Sequence, residues 1–400
     1  MIVNPNLPKP WLTLVGLGED GLSGLSDASL DALMVAKFIF GAPRHLGLAQ
    51  ELIGARGVAW PVPFSTAPLL KLRGQPVVAL VSGDPFWFGA GGSLLHDLKP
   101  DEWCARPNIS AFSWAANRLG WRLEETCCLG LHAAGLAQLR PLLAQDVQII
   151  ATLRDGPALD EAVAFLNAEG WGKSTVWALQ ALGGAQEVCQ KLDIAAKLPF
   201  GFLAPIMIAI HAMGKHGLAH VPGRDEGLFY HDGQISKSPI RALTLRALGP
   251  RPNELLWDLG AGSGAVSVEW CLAGGRAHAL EKHPARVENI IKNIAHFGLD
   301  RRMQAQCADH LANLPSAQPD AVFIGGGADM ALINQVMERL APMGRLVVNA
   351  VTLETEALLT QAQATFGGDL LRIELSKAQA LGTLRGWHAS RPVVQWSVKK

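Results

Sequence analysis

Short apolar runs that end at glycine, each followed by a stretch of helical spacing, recur along this chain and predict strands that lead into helices. In the first half the runs fall at 11–16, 38–40, 77–81, 147–152 and 175–179, with a β-rich end at 200–211. Ser26 is placed to cap a helix whose Leu30, Leu33, Met34 and Lys37 share one side, and residues 107–112 lead into another. Between 214 and 238 the periodicity stops and Gly, His, Arg and Asp crowd together, which reads as a linker. Beyond it, strands are expected at 255–257, 277–280, 321–324 and 345–349, with another before Asp309. Val287, Ile290, Ile291 and Ile294 fall at i, i+3, i+4 and i+7, the spacing of a helix laid on a sheet. Strands alternating with helices imply an α/β protein with parallel sheets covered on both faces.

Composition divides this pattern in two. At 400 residues the chain exceeds one ordinary core. The expected layout is a tail over 1–10, a domain over 11–215, a linker over 216–235 and a second domain over 236–400. Lys+Arg and Asp+Glu both number 35, so the basic excess of a general nucleic-acid binder is missing. No apolar run is long enough to suggest a membrane span, and the first ten residues lack the pattern of a signal peptide. The six cysteines form no C-x-x-C pair and no His stands at ligand spacing, so the expectation is a cytoplasmic protein with reduced thiols and no metal.

The densest candidate chemistry lies in LLWDLGAGSG, residues 255–264. Asp258 precedes Gly260, Gly262 and Gly264, with Ala261 and Ser263 between them, and a helix opens directly after. Glycine permits positive φ and close approach of a ligand, and a helix N-terminus favours electronegative ligand atoms. The spacing G-x-G-x-G is not the dinucleotide G-x-G-x-x-G. An acid before the first glycine points to the amino group of a ligand such as S-adenosylmethionine; a purely structural turn is the plain alternative. Glu281, at the end of the next strand, is placed to accept from ribose hydroxyls, or is a solvated surface acid. Asp309 is placed to accept from an adenine amino group, or is a helix cap. Gly325 to Gly327 and Asn349 end two further strands at the same expected crevice.

The series Asp258, Gly260, Gly262, Gly264, Glu281, Asp309 resembles the class I S-adenosylmethionine methyltransferases, which have a doubly wound, Rossmann-like fold. HDGQISKSPIRALTL at 231–245, IGGG at 324–327 and NAVTLETEAL at 349–358 further resemble the cobalamin-pathway domain that methylates C15 of a precorrin and removes an acetate carboxyl. That resemblance spans roughly 224–398 and implies that Ser236 and His310 also line the cofactor pocket. The N-terminal half differs. GLGEDGL at 16–22, SGDPFWFGAGGSLL at 82–95 and NISAFSWAANRLGW at 108–121 resemble the class III tetrapyrrole methylases. In that two-lobed fold the cofactor lies in a cleft, which here implies Gly16, Gly18, Gly83, Asp84 and Ser110. Glu19 and Asp20 depart from the G-x-G-P-G-D of that family, while the GDP loop is intact; Asp84 is equally a turn former before Pro85.

Both resemblances in one chain are similar to the bifunctional precorrin methyltransferases of cobalamin biosynthesis. They imply methyl transfers to C5 in the N-terminal half and to C15 in the C-terminal half, with loss of carbon dioxide from the C12 acetate. One S-adenosylmethionine site per domain is implied, as is homo-oligomerisation through the C-terminal domain. Reduced meso carbons are already nucleophilic, so alignment of the reacting atoms supplies much of the rate. A substrate with many carboxylates asks for cations; Arg224, His231, Lys237, Arg241, His388 and Arg391 are candidates, and Trp87 and Trp387 are candidates for stacking on the macrocycle. Arg241 is also readable as the polar face of a helix. A methyltransferase of another substrate, or a cofactor-binding sensor or scaffold, are the other readings open at this point.

Overall fold

The computed structural model describes residues 10–196, 198, 201–215, 217–309 and 313–400. The chain divides into two compact units, the first reaching to residue 216 without 137–141, the second comprising 217–400 together with 137–141.

Unit 1 holds two five-stranded sheets. The first is wholly parallel, in the order β3 (Gly57–Ala59), β2 (Phe38–Gly41), β4 (Val77–Ser82), β1 (Leu12–Leu17), β5 (Trp103–Arg106). Helices α1 (Asp27–Val35), α2 (Pro43–Ile53), and the single turns α3 (Ala67–Leu70) and α4 (Gly91–Leu94) connect its strands. Ser26 caps α1 by accepting from the Ser29 amide. The buried side of α1 differs from the expected one. The helix ends before Lys37 and Met34 is 55% exposed, while Ser29 and Leu33 turn inward with Ala36 just beyond. The buried strip lies one position out of phase with the apolar one, because small Ser29 and Ala36 carry no strong hydrophobic signal of their own.

The second sheet is mixed, in the order β6 (Cys127–Gly130), β7 (Gln148–Leu153), β10 (Ile206–His211), β8 (Thr175–Gln180), β9 (Val188–Leu192). Helices α5 (Ala111–Leu119) and α6 (Gly156–Ala168) belong with it.

Unit 2 opens with helix α7 (Ser238–Leu248) and a seven-stranded sheet. Five parallel strands, in the order β13 (Met303–Cys307), β12 (Arg276–Glu281), β11 (Leu255–Leu259), β14 (Ala321–Ile324), β15 (Arg345–Ala350), are extended by antiparallel β19 (Val393–Lys399) and then β16 (Asp369–Ile373). β17 (Ser376–Leu381) and β18 (Leu384–Ala389) form a separate hairpin. Successive residues of a strand face opposite sides. Leu256 accordingly packs with α7, α8 (Ala265–Leu272) and α9 (Pro284–Phe297), and Trp257 with α10 (Met330–Arg339) and α11 (Leu353–Phe366). On α9 the buried strip is Val287, Ile290, Ile294 and Phe297; Ile291 is 54% exposed, contrary to expectation, since i+4 from Val287 already lies at the strip's margin.

Candidate functional sites

In unit 1 the ends of β1 and β4 and the start of α5 meet by backbone contact. The Gly83 amide donates to the Leu17 carbonyl (3.2 Å), and the Gly83 carbonyl accepts from Asn108 N (3.1 Å). A Cβ on Gly16 would stand 1.8 Å from the Gly83 carbonyl oxygen, so Gly16 is glycine because a second backbone crosses it. It is buried at the strand end, directly before the cavity-lining Leu17 and Gly18. Gly83 itself has φ +48°, the left-handed region.

These ends border a cavity of roughly 420 Å³, within the range of small-molecule sites. Gly18, Gly83, Asp84 and Ser110 line it together with Trp87 and Phe88; Thr152 and Met207 line it from the second sheet and Ala181 from just past the end of β8. Asp84 Oδ1 accepts from Phe86 N (2.8 Å), so it shapes the loop as well as lining the cavity. Ser110 caps α5 through its hydroxyl (3.1 Å from Ser113 N). The departure at Glu19 has a structural counterpart. Glu19 pairs with Arg44, whose guanidinium also reaches His45 Nε2 (2.8 Å) and the Ser82 hydroxyl (3.0 Å). Burial, and then the charge of Arg44, lower the His45 imidazole to about 3. Residues 44 and 45 follow a short strand without any motif, and sequence reading did not single them out.

In unit 2 the glycine turn sits between β11 and α8. Gly260, Gly262 and Gly264 all have φ between +60° and +71°. A Cβ on Gly260 would lie 2.7 Å from the Gly326 carbonyl oxygen, which brings the turn against the glycines that follow β14. The Gly260 and Ala261 amides both donate to the Leu280 carbonyl (3.0 Å each), and Gly325 N donates to Leu259 (3.0 Å). Ser263 is buried, its carbonyl accepting from Asn293 Nδ2 (2.9 Å).

Asp258 is fully buried. Its Oδ2 accepts from the Ser267 hydroxyl (2.7 Å), while Oδ1 is buried with no hydrogen-bond partner. Burial pushes this carboxyl up to about 6, Ser267 opposing the shift and Glu281 adding to it. An unpaired buried carboxylate oxygen beneath a glycine turn fits a cationic amine. Glu281 sits at the end of β12 as expected, with Oε2 accepting from Gly262 N (2.9 Å) and Oε1 from His283 N (3.0 Å). Its first task is thus to hold the turn, and the remaining lone pairs are what a diol would meet. Asp309 is exposed just beyond β13, and His310 lies outside the described residues. Asn349 turns elsewhere than expected: it donates to Thr244 (2.9 Å) and accepts from Gln395 (2.9 Å), a network under α7 and β19. Among the described residues no cluster of His, Cys, Asp and Glu has the arrangement of a metal site.

The stretch read as a linker is bound to unit 2. Glu269 on α8 accepts from the backbone amides of Gly223 (2.8 Å) and Arg224 (3.0 Å), from Arg224 Nη1 (3.3 Å) and from Arg241 Nε (2.7 Å). Arg241 also donates to the Ser236 and Arg224 carbonyls and lies over the Phe229 ring. Arg241 is wholly buried and each of its three guanidinium nitrogens donates within the protein, so it is not a substrate cation; Arg224, with its side chain 8% exposed, is likewise an interior pair. This network holds Ser236, and with it Gln234, whose carbonyl lies 3.3 Å from where a Gly262 Cβ would stand. A lone acid in the apolar helix AVSVEWCL was the available signal for Glu269. His231, Lys237, Trp387, His388 and Arg391 are exposed and distributed over the lead-in and the hairpin, not gathered at the turn.

Comparison with known proteins agrees with this division. Residues 12–196 match the tetrapyrrole (corrin/porphyrin) methylases and residues 227–400 the precorrin methyltransferase domain. A precorrin-6Y C(5,15)-methyltransferase [decarboxylating] of Sinorhizobium sp. is 40% identical over 99% of this chain and 98% of its own, and one of Mycobacterium tuberculosis is 35% identical over 97% and 100%. The crystal structure of the C-terminal domain of precorrin-6Y C5,15-methyltransferase from Rhodobacter capsulatus is 58% identical, covering 46% of this chain and 100% of that one, with a TM-score of 0.44. Full-length similarity at this level places the chain in the precorrin-6Y C(5,15)-methyltransferase (decarboxylating) family.

Proposed function

We infer that the chain methylates C5 and C15 of precorrin-6Y/6B with S-adenosylmethionine and removes the C12 acetate carboxyl, giving precorrin-8X, with C5 assigned to unit 1 and C15 with decarboxylation to unit 2. The observation that carries this is the presence of two unlike glycine-built sites in a chain similar throughout its length to relatives so named. S-adenosylmethionine supplies an electrophilic methyl. Gly18, Gly83, Asp84 and Ser110 would hold it in unit 1, and Ser236, Asp258, the 260–264 turn, Glu281, Asp309 and Gly325 in unit 2, with Asp258 Oδ1 receiving the ammonium. His231, Lys237, His388 and Arg391 are the exposed cations offered to substrate carboxylates. Incubation of the full chain with labelled S-adenosylmethionine and purified precorrin is expected to add two methyls and remove one carbon dioxide by mass; cofactor binding without turnover would refute the assignment.

Association through unit 2 is part of the same reading. In the β17–β18 hairpin every residue but Gly386 is exposed, including Leu381 (71%) and Leu384 (75%), which pair across the strands. A bare two-stranded hairpin is marginal in water, and exposed apolar side chains of this kind mark an interaction surface. A second copy of the chain is the occupant proposed, as the family resemblance implies. Sedimentation at micromolar concentration is expected to show an oligomer that the Leu381→Asp/Leu384→Asp variant dissociates; a monomeric parent protein would sink the idea.

A further inference from the structure

Replacing C5–H by C5–CH3 leaves one proton to be removed, and the unit 1 cavity offers few groups to take it. As the C5 π pair bonds to the methyl, the sulfur keeps the electrons of its former bond to carbon. The C5–H bond must then break, its electrons restoring the conjugated system and its proton passing to a base. Among the described residues, five titratable side chains line the cavity: Glu19, Arg44, His45, Asp84 and His132. Glu19 is paired with Arg44. His45 is buried, and its Nε2 faces the Arg44 guanidinium, which can only donate. Asp84 holds the Phe86 amide through Oδ1 and, in the proposed function, its carboxylate is committed to the cofactor.

His132 differs from the other four. It stands just past the end of β6, exposed to solvent yet lining the cavity. Its Nδ1 lies 3.1 Å from the Thr152 hydroxyl at the end of β7. In the tautomer in which Nδ1–H donates to Thr152, Nε2 carries the available lone pair. A Cβ on Gly130 would lie 2.8 Å from the Phe88 ring and 3.5 Å from His132 Cε1, so the imidazole and an aromatic side chain of the cavity flank the same glycine. Phe88 is held there at φ +55°, a conformation that bulky residues rarely adopt and that recurs at ligand sites.

The geometry points to His132 as the proton acceptor of the C5 transfer, oriented by Thr152 and set beside the aromatic side chain of Phe88 at the cavity. This rests on the assignment of C5 methylation to unit 1. The proton leaves C5 for Nε2 and passes from the exposed ring to water.

The test uses the full chain, in which C15 methylation and decarboxylation serve as an internal control. His132→Ala is expected to slow C5 methylation about 100-fold or more, the scale of a lost general base, with the C15 methyl, the decarboxylation and calorimetric cofactor binding unchanged. Added imidazole is expected to restore C5 transfer, which a purely structural role would not allow, and Thr152→Val to give a smaller loss. Retained C5 transfer in His132→Ala, or loss without imidazole rescue, would overturn the proposal. Ala111→Trp, which fills the cavity from an exposed position, separates the two levels. If it leaves the C5 methyl in place, the assignment to unit 1 fails and His132 with it; if it removes that methyl while His132→Ala does not, only the proposal for His132 falls.

Discussion

Glu269→Ala is expected to destabilise unit 2 by about 3–5 kcal/mol, the cost of breaking a buried ion pair from one side. The carboxylate has no exposed surface and receives two guanidinium and two amide donors, so its removal strands the Arg241 charge in the core and frees residues 223 and 224 from α8. Glu269→Gln keeps the volume and part of the hydrogen bonding and should lose less. Hydrogen exchange of α7 and α8 amides, followed in the full chain, reads the effect directly; protection equal to that of the parent protein would contradict it. Arg241→Ala should move in the same direction and weaken cofactor and substrate binding together. Selective loss of substrate binding, the signature of a carboxylate-holding arginine, is not the expected outcome for a guanidinium with this burial.

The second large effect concerns Asp258 and carries a pH signature. A carboxyl raised in the folded state from 3.8 to about 6 is favoured there as the neutral acid. Its contribution to the stability of cofactor-free unit 2 is therefore fully present below pH 3.8 and is lost as pH rises through about 6. An ammonium placed at Oδ1 reverses the preference, because it favours the ionised form. S-adenosylmethionine affinity at unit 2 is thus expected to rise about tenfold between pH 5 and pH 7, approaching the tenfold per unit of a single linked proton only below about 6, and then to level off. Asp258→Asn should abolish this dependence and weaken binding about 100-fold, the scale of truncating a buried charge partner. Calorimetry of the full chain across this range, in buffers of different ionisation enthalpy, checks both the slope and the proton released. An unchanged slope in Asp258→Asn would assign the linkage to another group.

Much of the architecture was readable where a single segment carries its own signal. The strand–turn–helix around 255–272 follows from apolar residues, alternating glycines that take positive φ and a following helix former, all within one stretch. The same holds for β4 and the Gly83 loop. Strands of polar alternation, such as β17 and β18, escaped notice because neither face is buried within the chain and no apolar run marks them. β5, β6 and β9 were missed for a related reason: each is a short, half-exposed strand.

The amino-acid sequence by itself determined two α/β domains, two unlike glycine turns and the acids Asp258 and Glu281 at strand ends, because those features depend on spacing within a few turns of chain. Tertiary structure decided which charges remain available. Arg241 and Arg224 are twenty-eight and forty-five residues from Glu269, and only the docking of the lead-in segment on α8 turns these apparent surface cations into an interior pair. It likewise decided that Gly16 is glycine to let the Gly83 backbone pass and that His132, unremarked in sequence, stands beside Phe88 at the cavity. A side chain's charge and hydrogen-bonding capacity are local properties, but whether a ligand can use them depends on which distant groups have already desolvated and paired with them.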